Sequence, residues 1–214
     1  MSIWVKYILL ALGGYLLGNI SMGVLVARLY GIADIRKQGS GNAGTTNVLR
    51  TLGWVPSVMT MLGDVLKAFI AALVGKWVGG ETGMLVAGTF AVIGHDFPAL
   101  LGFKGGKGIA SSWGMILMVD WRIALILIAT LVVIVATTRY MSVASIVSTF
   151  IYPVAIAFFM RSNPNYALYI GSSLFLAALS LFCHRKNILR LIHKEENRLD
   201  FAKISKLKNK IKKK

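Results

Sequence analysis

Long apolar runs constrain this chain of 214 residues more than any other feature. The runs cover residues 3–27, 54–79, 82–101, 109–119, 123–137, 141–160 and 165–183. A helix of about 20 apolar residues crosses a bilayer, and soluble domains carry about 25% charged residues. This chain is 15% charged and 56% hydrophobic, which excludes a soluble domain and a disordered chain. We therefore predict an all-α integral membrane protein with about seven transmembrane helices, two of them short.

The fourth and fifth runs are shorter than a full span, and Asp120, Trp121 and Arg122 interrupt them. They are compatible with two tilted half-length helices, one long span or a re-entrant hairpin. Cytoplasmic loops carry an excess of Lys and Arg. With the N-terminus outside and seven crossings, 19 Lys and Arg residues lie inside and four lie outside. If the fourth and fifth runs instead form one long span, the basic C-terminal segment lies outside. We therefore expect seven crossings, or five with a hairpin, and a cytoplasmic C-terminus.

Basic residues are concentrated near the C-terminus. The segment from Arg185 onward holds 12 Lys and Arg against three acidic residues, which is +9 of the formal net charge of +16. Such a segment is attracted to an anionic lipid surface, or it serves only as a topological anchor. Nucleic-acid binding is disfavoured because aromatic residues do not alternate with these charges. We predict a single transmembrane domain over residues 1–184 and a cytoplasmic basic tail over residues 185–214.

The chain has a single cysteine, Cys183. Disulfide frameworks, cysteine zinc clusters and iron–sulfur sites all need several cysteines. We therefore expect none of these sites, and nothing else in the sequence predicts a metal or a cofactor.

Three polar clusters interrupt the apolar pattern, and the predicted topology places all three in loops on the cytoplasmic side. They cover residues 39–50, 94–108 and 184–190. Each combines glycine or asparagine with Lys or Arg. Glycines let a backbone approach a ligand, successive N–H groups in such a loop bind anions, and a helix N-terminus attracts phosphate. The clusters together predict an anion site, although each loop alone also fits an ordinary turn between helices.

The residues of these clusters resemble the three signature motifs of one enzyme family. They read Ser40-Gly41-Asn42-x-Gly44-x-x-Asn47-x-x-Arg50, Gly105-Gly106-Lys107-Gly108 and His184-x-x-Asn187-Ile188-x-Arg190-Leu191. In order and spacing they are similar to the motifs of the bacterial acyl-phosphate:glycerol-3-phosphate acyltransferases, the PlsY family. Departures from the usual residues occur at Ala43, Thr45, Ser111 and Lys194. The resemblance implies seven helices, an N-terminus outside, an active site at the cytoplasmic face of a bacterial plasma membrane, and residues 1–184 as the catalytic domain.

By this resemblance, a fatty acyl group passes from acyl phosphate to the 1-hydroxyl of glycerol 3-phosphate, and lysophosphatidate and inorganic phosphate are formed. The resemblance implies four catalytic residues, which are Ser40, His95, Lys107 and His184. The residues implied to bind substrate are Gly41, Asn42, Gly44, Asn47, Arg50, Lys104, Gly105, Gly106, Gly108, Arg139, Ser142, Asn187, Arg190 and Glu196. Membrane lipid is an expected partner, with the basic tail against anionic lipids. Nucleic acid, metal ions and cofactors are not expected.

The residues suit this chemistry. An acyl phosphate is a mixed anhydride with a good leaving group, so positioning and charge neutralisation can supply most of the acceleration. The acceptor hydroxyl must lose a proton, and His95, His184 or a substrate phosphate can accept it. Acyltransferases with thioester donors commonly carry His-x4-Asp, but Leu100, Leu189 and Arg198 stand five residues after the three histidines. This pattern favours acyl phosphate as the donor.

Two other functions compete with this one. A transporter or channel for a phosphorylated solute would share the basic loops, but it predicts an internal repeat or broken helices in mid-membrane, and the sequence shows no convincing repeat. A non-catalytic membrane anchor would use the basic tail but leave the three clusters unexplained. Asp64 and Lys67, three residues apart in an apolar run, are expected to neutralise each other in a structural role.

Overall fold

The computed structural model describes residues 2–211. These residues form α-helices joined by loops and by two short 3₁₀ turns, Ile35–Lys37 and Ala99–Leu101, and no strand occurs among them. The α-helices are α1 (Ile3–Gly18), α2 (Met22–Leu29), α3 (Thr45–Leu52), α4 (Trp54–Asp96), α5 (Ile109–Val119), α6 (Trp121–Thr138), α7 (Met141–Phe159), α8 (Tyr166–Ile192) and α9 (Phe201–Ile211). The all-helical prediction is confirmed for this part of the chain.

Within residues 2–211, five helical segments are long and apolar enough to cross a membrane. They are Ile3–Leu29, which joins α1 and α2, Trp54–Leu101, Trp121–Thr138, Met141–Phe159 and Tyr166–Ile192. Large apolar side chains on these segments, such as Leu16, Trp77 and Phe158, are exposed. Hydrocarbon tails solvate such side chains as well as a protein core does, so the architecture is that of an integral membrane protein.

Helix α4 is a hairpin of two antiparallel arms. Its 43 residues reverse direction at Gly80, where φ is 64° and ψ is −152°, a conformation that favours glycine because φ is positive. Beside the turn, Gly75 and Gly83 approach so closely that a Cβ on either would overlap the backbone oxygen of the other. The arms match the second and third predicted runs, and the reversal brings the start of the first arm beside the end of the second.

Helix α1 packs against the second arm of α4. A Cβ added at Gly14 or Gly18 would overlap the backbone oxygen of Ala87 or Ala91, so glycine allows the two helices to touch along their backbones. Helix α1 ends at Gly18 and the chain resumes as α2 after a short break, so the first apolar run forms two helices. The last carbonyl groups of a helix lack helical partners, and the break therefore leaves carbonyls free to bind side chains.

The fourth and fifth runs are separate helices. Asp120 adopts extended backbone between α5 and α6, and its carboxylate accepts a hydrogen bond from the N–H of Arg122 at 2.8 Å. Ile109, at the start of α5, and Leu131, in the second half of α6, line the same cleft, so the two helices fold back on each other. The alternative of one long span is therefore wrong. Helix α5 has 11 residues, fewer than the about 20 of a full crossing.

Helix α8 continues without a break across the boundary expected between the transmembrane domain and the tail. After it the chain turns back, and Leu199 packs against Leu49 of α3. The ring of Phe201, at the start of α9, stacks on that of Trp54 with centroids 6.2 Å apart. The first part of the predicted tail is thus packed against the helices, whereas the lysines at 212–214 lie outside the described residues.

Candidate active site

The three polar clusters meet at one end of the helices, around an open cleft of about 900 Å³ counted out to solvent. All four predicted catalytic residues line this cleft: Ser40, His95, Lys107 and His184. Seven predicted substrate-binding residues line it too, namely Asn42, Gly44, Asn47, Arg50, Ser142, Asn187 and Glu196. The fold therefore brings together motifs that are far apart in the chain.

The loop of the first cluster is built on the side chain of Asn47. Its amide nitrogen lies 2.8 to 3.1 Å from the backbone carbonyls of Asn42, Gln38 and Ile35, and its amide oxygen accepts from the N–H of Ser40 at 2.7 Å. These contacts use the hydrogen-bonding capacity of the amide, and Asn47 is buried. Asn47 therefore shapes the loop that presents Ser40, which is exposed at the edge of the cleft.

Asn42 joins the first cluster to the second. Its Oδ1 accepts from the N–H of Gly44 at 2.8 Å, and its Nδ2 donates to the carbonyl of Gly105 at 3.1 Å. Gly44 is the residue before α3, and the first turn of α3 lines the cleft. The positive end of that helix therefore adds to the attraction of the cleft for anions.

The glycine-rich loop of the second cluster is fixed to the helices on both sides. The N–H groups of Gly105 and Gly106 donate to the carbonyls of Asp96 and His95 at 3.2 and 3.0 Å. Gly108 has a φ of 75° immediately before α5, and this positive φ favours glycine. The loop therefore holds a defined backbone geometry on the way to α5.

The third cluster differs from the prediction because it is not a loop. Residues 184–190 form the last turns of α8. His184 and Asn187 are three residues apart, so they share one helix face, and both are buried at the cleft. Nδ1 of His184 lies 2.9 Å from the carbonyl of Ser180. Since a carbonyl only accepts, Nδ1 carries the proton of the neutral ring.

Glu196 ties together the chain segments around Asn187. Its Oε1 accepts from Nδ2 of Asn187 at 2.8 Å and from Oγ of Ser142 at 3.1 Å, and its Oε2 accepts from Nε of Arg190 at 2.8 Å. Burial acts to raise the pKa of Glu196, but these hydrogen bonds and the charge of Arg190 outweigh it, and the pKa is lowered. The carboxylate is therefore held as an anion between α7 and α8.

Lys107 reaches across the cleft to α8. Its Nζ donates to Oδ1 of Asn187, so the Asn187 amide bridges Lys107 and Glu196. Burial lowers the pKa of Lys107 to about 8; Glu196 opposes this shift, and the guanidinium groups of Arg190 and Arg50 add to it. The ammonium group is thus easily neutralised unless an anion lies beside it.

Arg50 enters the cleft from α3. Its NH2 group donates to the carbonyl of Asn197 at 2.9 Å, while its buried Nε has no hydrogen-bond partner within the described chain. Burial lowers the pKa of Arg50. Three cations, Arg50, Lys107 and Arg190, thus surround one carboxylate, and this excess of positive charge suits a phosphate ligand.

Seven predicted substrate-binding residues are not among the described residues that line the cleft, namely Gly41, Lys104, Gly105, Gly106, Gly108, Arg139 and Arg190. The glycines shape the loops around it. The side chains of Lys104 and Arg139 are exposed, and the carbonyl of Arg139 accepts from the N–H of Leu199 at 2.8 Å. Arg190 acts on the cleft through its ion pair with Glu196.

Sequence reasoning missed the apolar part of the cleft. It is formed by Met61, Ile109, Ala110, Trp113, Leu131 and Met141, which come from α4, α5, α6 and α7. An apolar residue within an apolar run carries no signal of a special role. Thr45, Thr46, Asp64 and Ser145 complete the lining. For Asp64 and Ser145, a polar side chain inside an apolar run was the available signal.

The cleft combines a cationic region with an apolar wall. In the part of the chain that the structure describes, no group of three His, Cys, Asp or Glu side chains is placed to hold a metal ion. Cations and hydrogen-bond donors fit a phosphate group, and the apolar side chains fit hydrocarbon. The arrangement therefore suits a ligand with a phosphate head and an apolar chain.

The fold is that of an integral membrane protein, and its cleft suits a phosphorylated lipid or lipid precursor. The model of a family described as glycerol-3-phosphate acyltransferase matches residues 8–194. The chain therefore belongs to the glycerol-3-phosphate acyltransferase family, whose members catalyse acyl transfer in phospholipid synthesis.

Curated relatives and solved structures agree with this assignment. A glycerol-3-phosphate acyltransferase from Clostridioides difficile (strain 630) is 45% identical over 200 residues, which cover 91% of this chain and 96% of that protein. One from Maricaulis maris (strain MCS10) is 43% identical and covers 88% of this chain and 85% of its own length.

Two crystal structures of PlsY (YgiH), an integral membrane glycerol 3-phosphate acyltransferase, share the fold. The glycerol 3-phosphate form has a TM-score of 0.82 at 35% identity and covers 92% of this chain and 98% of that chain. The lysophosphatidic acid form has a TM-score of 0.81 at 34% identity, with coverages of 92% and 97%. Along almost its whole length, this chain is similar in sequence and fold to PlsY-type glycerol-3-phosphate acyltransferases.

Proposed function

We propose that this protein transfers a fatty acyl group from acyl phosphate to the 1-hydroxyl of glycerol 3-phosphate, releasing lysophosphatidate and inorganic phosphate. The observation that carries the proposal is the composition of one cleft, in which two cations, Arg50 and Lys107, lie with an apolar wall, while Arg190 pairs with the Glu196 carboxylate of its lining. The PlsY structures in glycerol 3-phosphate and lysophosphatidic acid forms support it, because these compounds are the acceptor and the product of this reaction.

Arg50 and Lys107 bind the phosphate groups. Each substrate brings one phosphate, and two anions repel each other unless cations lie between them. Arg50 has an unused buried donor, and Lys107 is held at the cleft by Asn187. As the acyl–phosphate bond breaks, these groups stabilise the negative charge that develops on the departing phosphate.

Ser40, His95 and His184 contact the reacting groups. All three line the cleft, and their side chains can hydrogen-bond both the acceptor hydroxyl and the acyl phosphate. Asn187 and Ser142, joined through Glu196, hold the glycerol part of the acceptor beside them. The effect of this arrangement is to place the hydroxyl next to the acyl carbon, which is the main source of acceleration for a mixed anhydride.

The acyl chain enters from the membrane between the helices. Trp113, Leu131 and Met141 form an apolar part of the cleft lining. The hydrocarbon chain can lie against these side chains while the phosphate reaches the cations. The soluble acceptor comes from the cytoplasm of a bacterium, since the positive-inside rule places the cleft at the cytoplasmic face of the plasma membrane. The exposed Lys203 and Lys206 of α9 contact anionic lipid headgroups there.

One experiment tests the reaction and the donor together. The protein is purified in detergent and supplied with glycerol 3-phosphate and either palmitoyl phosphate or palmitoyl-CoA, and lysophosphatidate and free phosphate are measured. We expect product with palmitoyl phosphate alone. Product formed only with palmitoyl-CoA would contradict acyl phosphate as the donor. No product with either donor would favour a transporter of phosphorylated solutes over an enzyme.

A further inference from the structure

Helix α9 packs against the cleft end of the helical domain through one apolar face. Phe201, Ile204 and Leu207 follow one another at intervals of three residues, so they share that face. The ring of Phe201 stacks on that of Trp54, and Ile204 is buried. Trp54 is the first residue of α4, where a segment long enough to cross a membrane begins. Helix α9 therefore lies at the boundary of the membrane-spanning region.

The exposed face of α9 is basic. Lys203 and Lys206 are exposed, and residues 201–214 hold seven lysines and no acidic residue. At the end of α4 against which α9 packs, the side chains of Val55 and Val58 are exposed, as expected for a surface that faces lipid. Lysines at such a boundary reach the lipid headgroups, and anionic headgroups attract them. Helix α9 thus fits the surface of an anionic bilayer.

The chain that leads from the cleft to α9 holds the side chain of Arg50. The carbonyl of Asn197 accepts a hydrogen bond from the NH2 group of Arg50 at 2.9 Å. Two residues later, the side chain of Leu199 is buried in one cluster with Leu49 of α3 and Ile204 of α9. The acceptor of Arg50 is therefore kept in place by a cluster to which α9 contributes.

A change in the packing of α9 would reach the cleft through this cluster. Arg50 lines the cleft, and its buried Nε has no hydrogen-bond partner within the described chain. If α9 left its place, Leu199 would lose part of its apolar cover, and the carbonyl of Asn197 would no longer be held beside the guanidinium. A long side chain without fixed partners gains rotamer freedom, so Arg50 would be less well placed to bind phosphate.

We propose that α9 binds an anionic lipid surface through Lys203 and Lys206 and that this binding holds Arg50 in place for phosphate, so that acyl transfer depends on anionic lipid. The effect on acyl transfer rests on the proposed function, whereas the binding of lipid rests on the position and charge of α9. The family model ends at residue 194, so this regulation belongs to a part of the chain that the model does not cover.

The binding of lipid is measured by hydrogen exchange of the backbone amides of α9, followed by mass spectrometry. The full chain is placed in nanodiscs of phosphatidylcholine, with or without the anionic lipid phosphatidylglycerol. Exchange should slow at least about fivefold with phosphatidylglycerol, since one lysine beside an anionic surface contributes about this factor. Equal exchange of α9 in both lipids would overturn the proposal, whether or not the protein catalyses acyl transfer.

Two double variants test whether the lysines are responsible. In Lys203→Gln/Lys206→Gln the difference in exchange between the two lipids should disappear. The matched control is Lys76→Gln/Arg161→Gln, which removes two exposed cations from the opposite end of the helices and should retain the difference. A difference that persists in Lys203→Gln/Lys206→Gln would remove these lysines from the proposal.

The effect on the cleft is measured as a ratio, kcat/KM for glycerol 3-phosphate with phosphatidylglycerol divided by kcat/KM without it. This ratio should be at least about threefold smaller in Lys203→Gln/Lys206→Gln than in the wild type. The control Lys76→Gln/Arg161→Gln should keep the ratio of the wild type, because any repulsion between substrate and anionic lipid acts on both. In Arg50→Ala the ratio should fall to that of Lys203→Gln/Lys206→Gln, since the side chain that α9 positions is missing.

Equal ratios in the wild type and in Lys203→Gln/Lys206→Gln would overturn the link between lipid and acyl transfer, even if anionic lipid slows the exchange of α9. A ratio in Arg50→Ala as large as that of the wild type would show that lipid does not act through Arg50 and would overturn it too. A protein with no acyl transfer at all would contradict the proposed function, and hydrogen exchange would still decide whether α9 binds anionic lipid.

Discussion

The two ends of the helical domain differ in how their charged side chains are paired. At the end away from the cleft, Asp120 pairs with Arg122 at 2.6 Å, and Glu81 accepts from Asn163 and Asn165 at 3.3 and 2.8 Å. At the other end, Arg50 and Lys107 in the cleft and Arg190 beside it share the carboxylate of Glu196. Burying a cation without a partner costs free energy, so an excess of cations indicates the place where an anionic ligand supplies the missing charge.

The largest effect should come from removing one of these cations. Arg50→Ala and Lys107→Ala should each lower kcat/KM for glycerol 3-phosphate at least about tenfold, because a charge-assisted hydrogen bond contributes about 1.5–3 kcal/mol. The measurement is lysophosphatidate formation by protein that elutes as a folded species in size-exclusion chromatography.

Arg122→Ala is the matched control for these variants, since it removes a cation from the opposite end. Its rate should stay close to that of the wild type. If all three variants were equally impaired, the contrast between the two ends would not reflect ligand binding, and near-wild-type rates for Arg50→Ala and Lys107→Ala would remove both from the site.

A second effect concerns Glu196, the carboxylate that the cations Arg50, Lys107 and Arg190 share. Glu196→Ala leaves Asn187, Ser142 and Arg190 without their shared acceptor, and we expect a loss of about 1–3 kcal/mol in stability, since unpaired buried polar groups cost this much. Thermal unfolding in detergent, followed by tryptophan fluorescence, measures it. Glu195→Ala is the control because its side chain is exposed. Equal melting temperatures for both variants would contradict the role of Glu196.

Much of the fold could be predicted because a helix that crosses a bilayer needs a long run of apolar residues. Apolar runs became helices, and the interruption at residues 120–122 became the break between α5 and α6. The reversal at Gly80 follows the short gap between two runs. The third cluster was expected to be a loop because it is polar, but His184 and Asn187 lie in a continuous helix. Their spacing of three residues, which fits one helix face, was the signal to use.

The candidate site was predictable where its residues are unusual for a membrane protein. Glycine loops, Arg50 and Lys107 stand out from their surroundings, and the structure places these cations at one cleft. Their hydrogen bonds were not predictable, because Asn187 and Glu196 connect only after α8 and the following chain have folded. Leu131 and Met61 form part of the apolar wall, but an apolar residue facing substrate and one facing lipid look alike in a sequence.

A third effect should appear as the pH rises. Burial lowers the pKa of Lys107 to about 8, so its ammonium group is charged below that pH and neutral above it. Because kcat/KM reports the ionisation of the free enzyme, it should fall as the pH increases through about 8. A guanidinium group stays charged over this range. In Lys107→Arg the fall should therefore move to higher pH, and an unchanged profile would show that another group is responsible.

The smallest effect is expected at the paired end, where Asp120→Asn removes a charge but keeps a side-chain acceptor for the N–H of Arg122. Asn caps helices about as well as Asp, and the side chain of Arg122 is largely exposed to surroundings that weaken its ion pair. We therefore expect a smaller drop in melting temperature than for Glu196→Ala, and kcat/KM within about twofold of the wild type. A tenfold loss would mean that α5 and α6 transmit changes from this end to the cleft, since Ile109 and Leu131 on those helices line it. The charges of the two ends would then act as one system, and the separation between a structural end and a ligand-binding end would have to be abandoned.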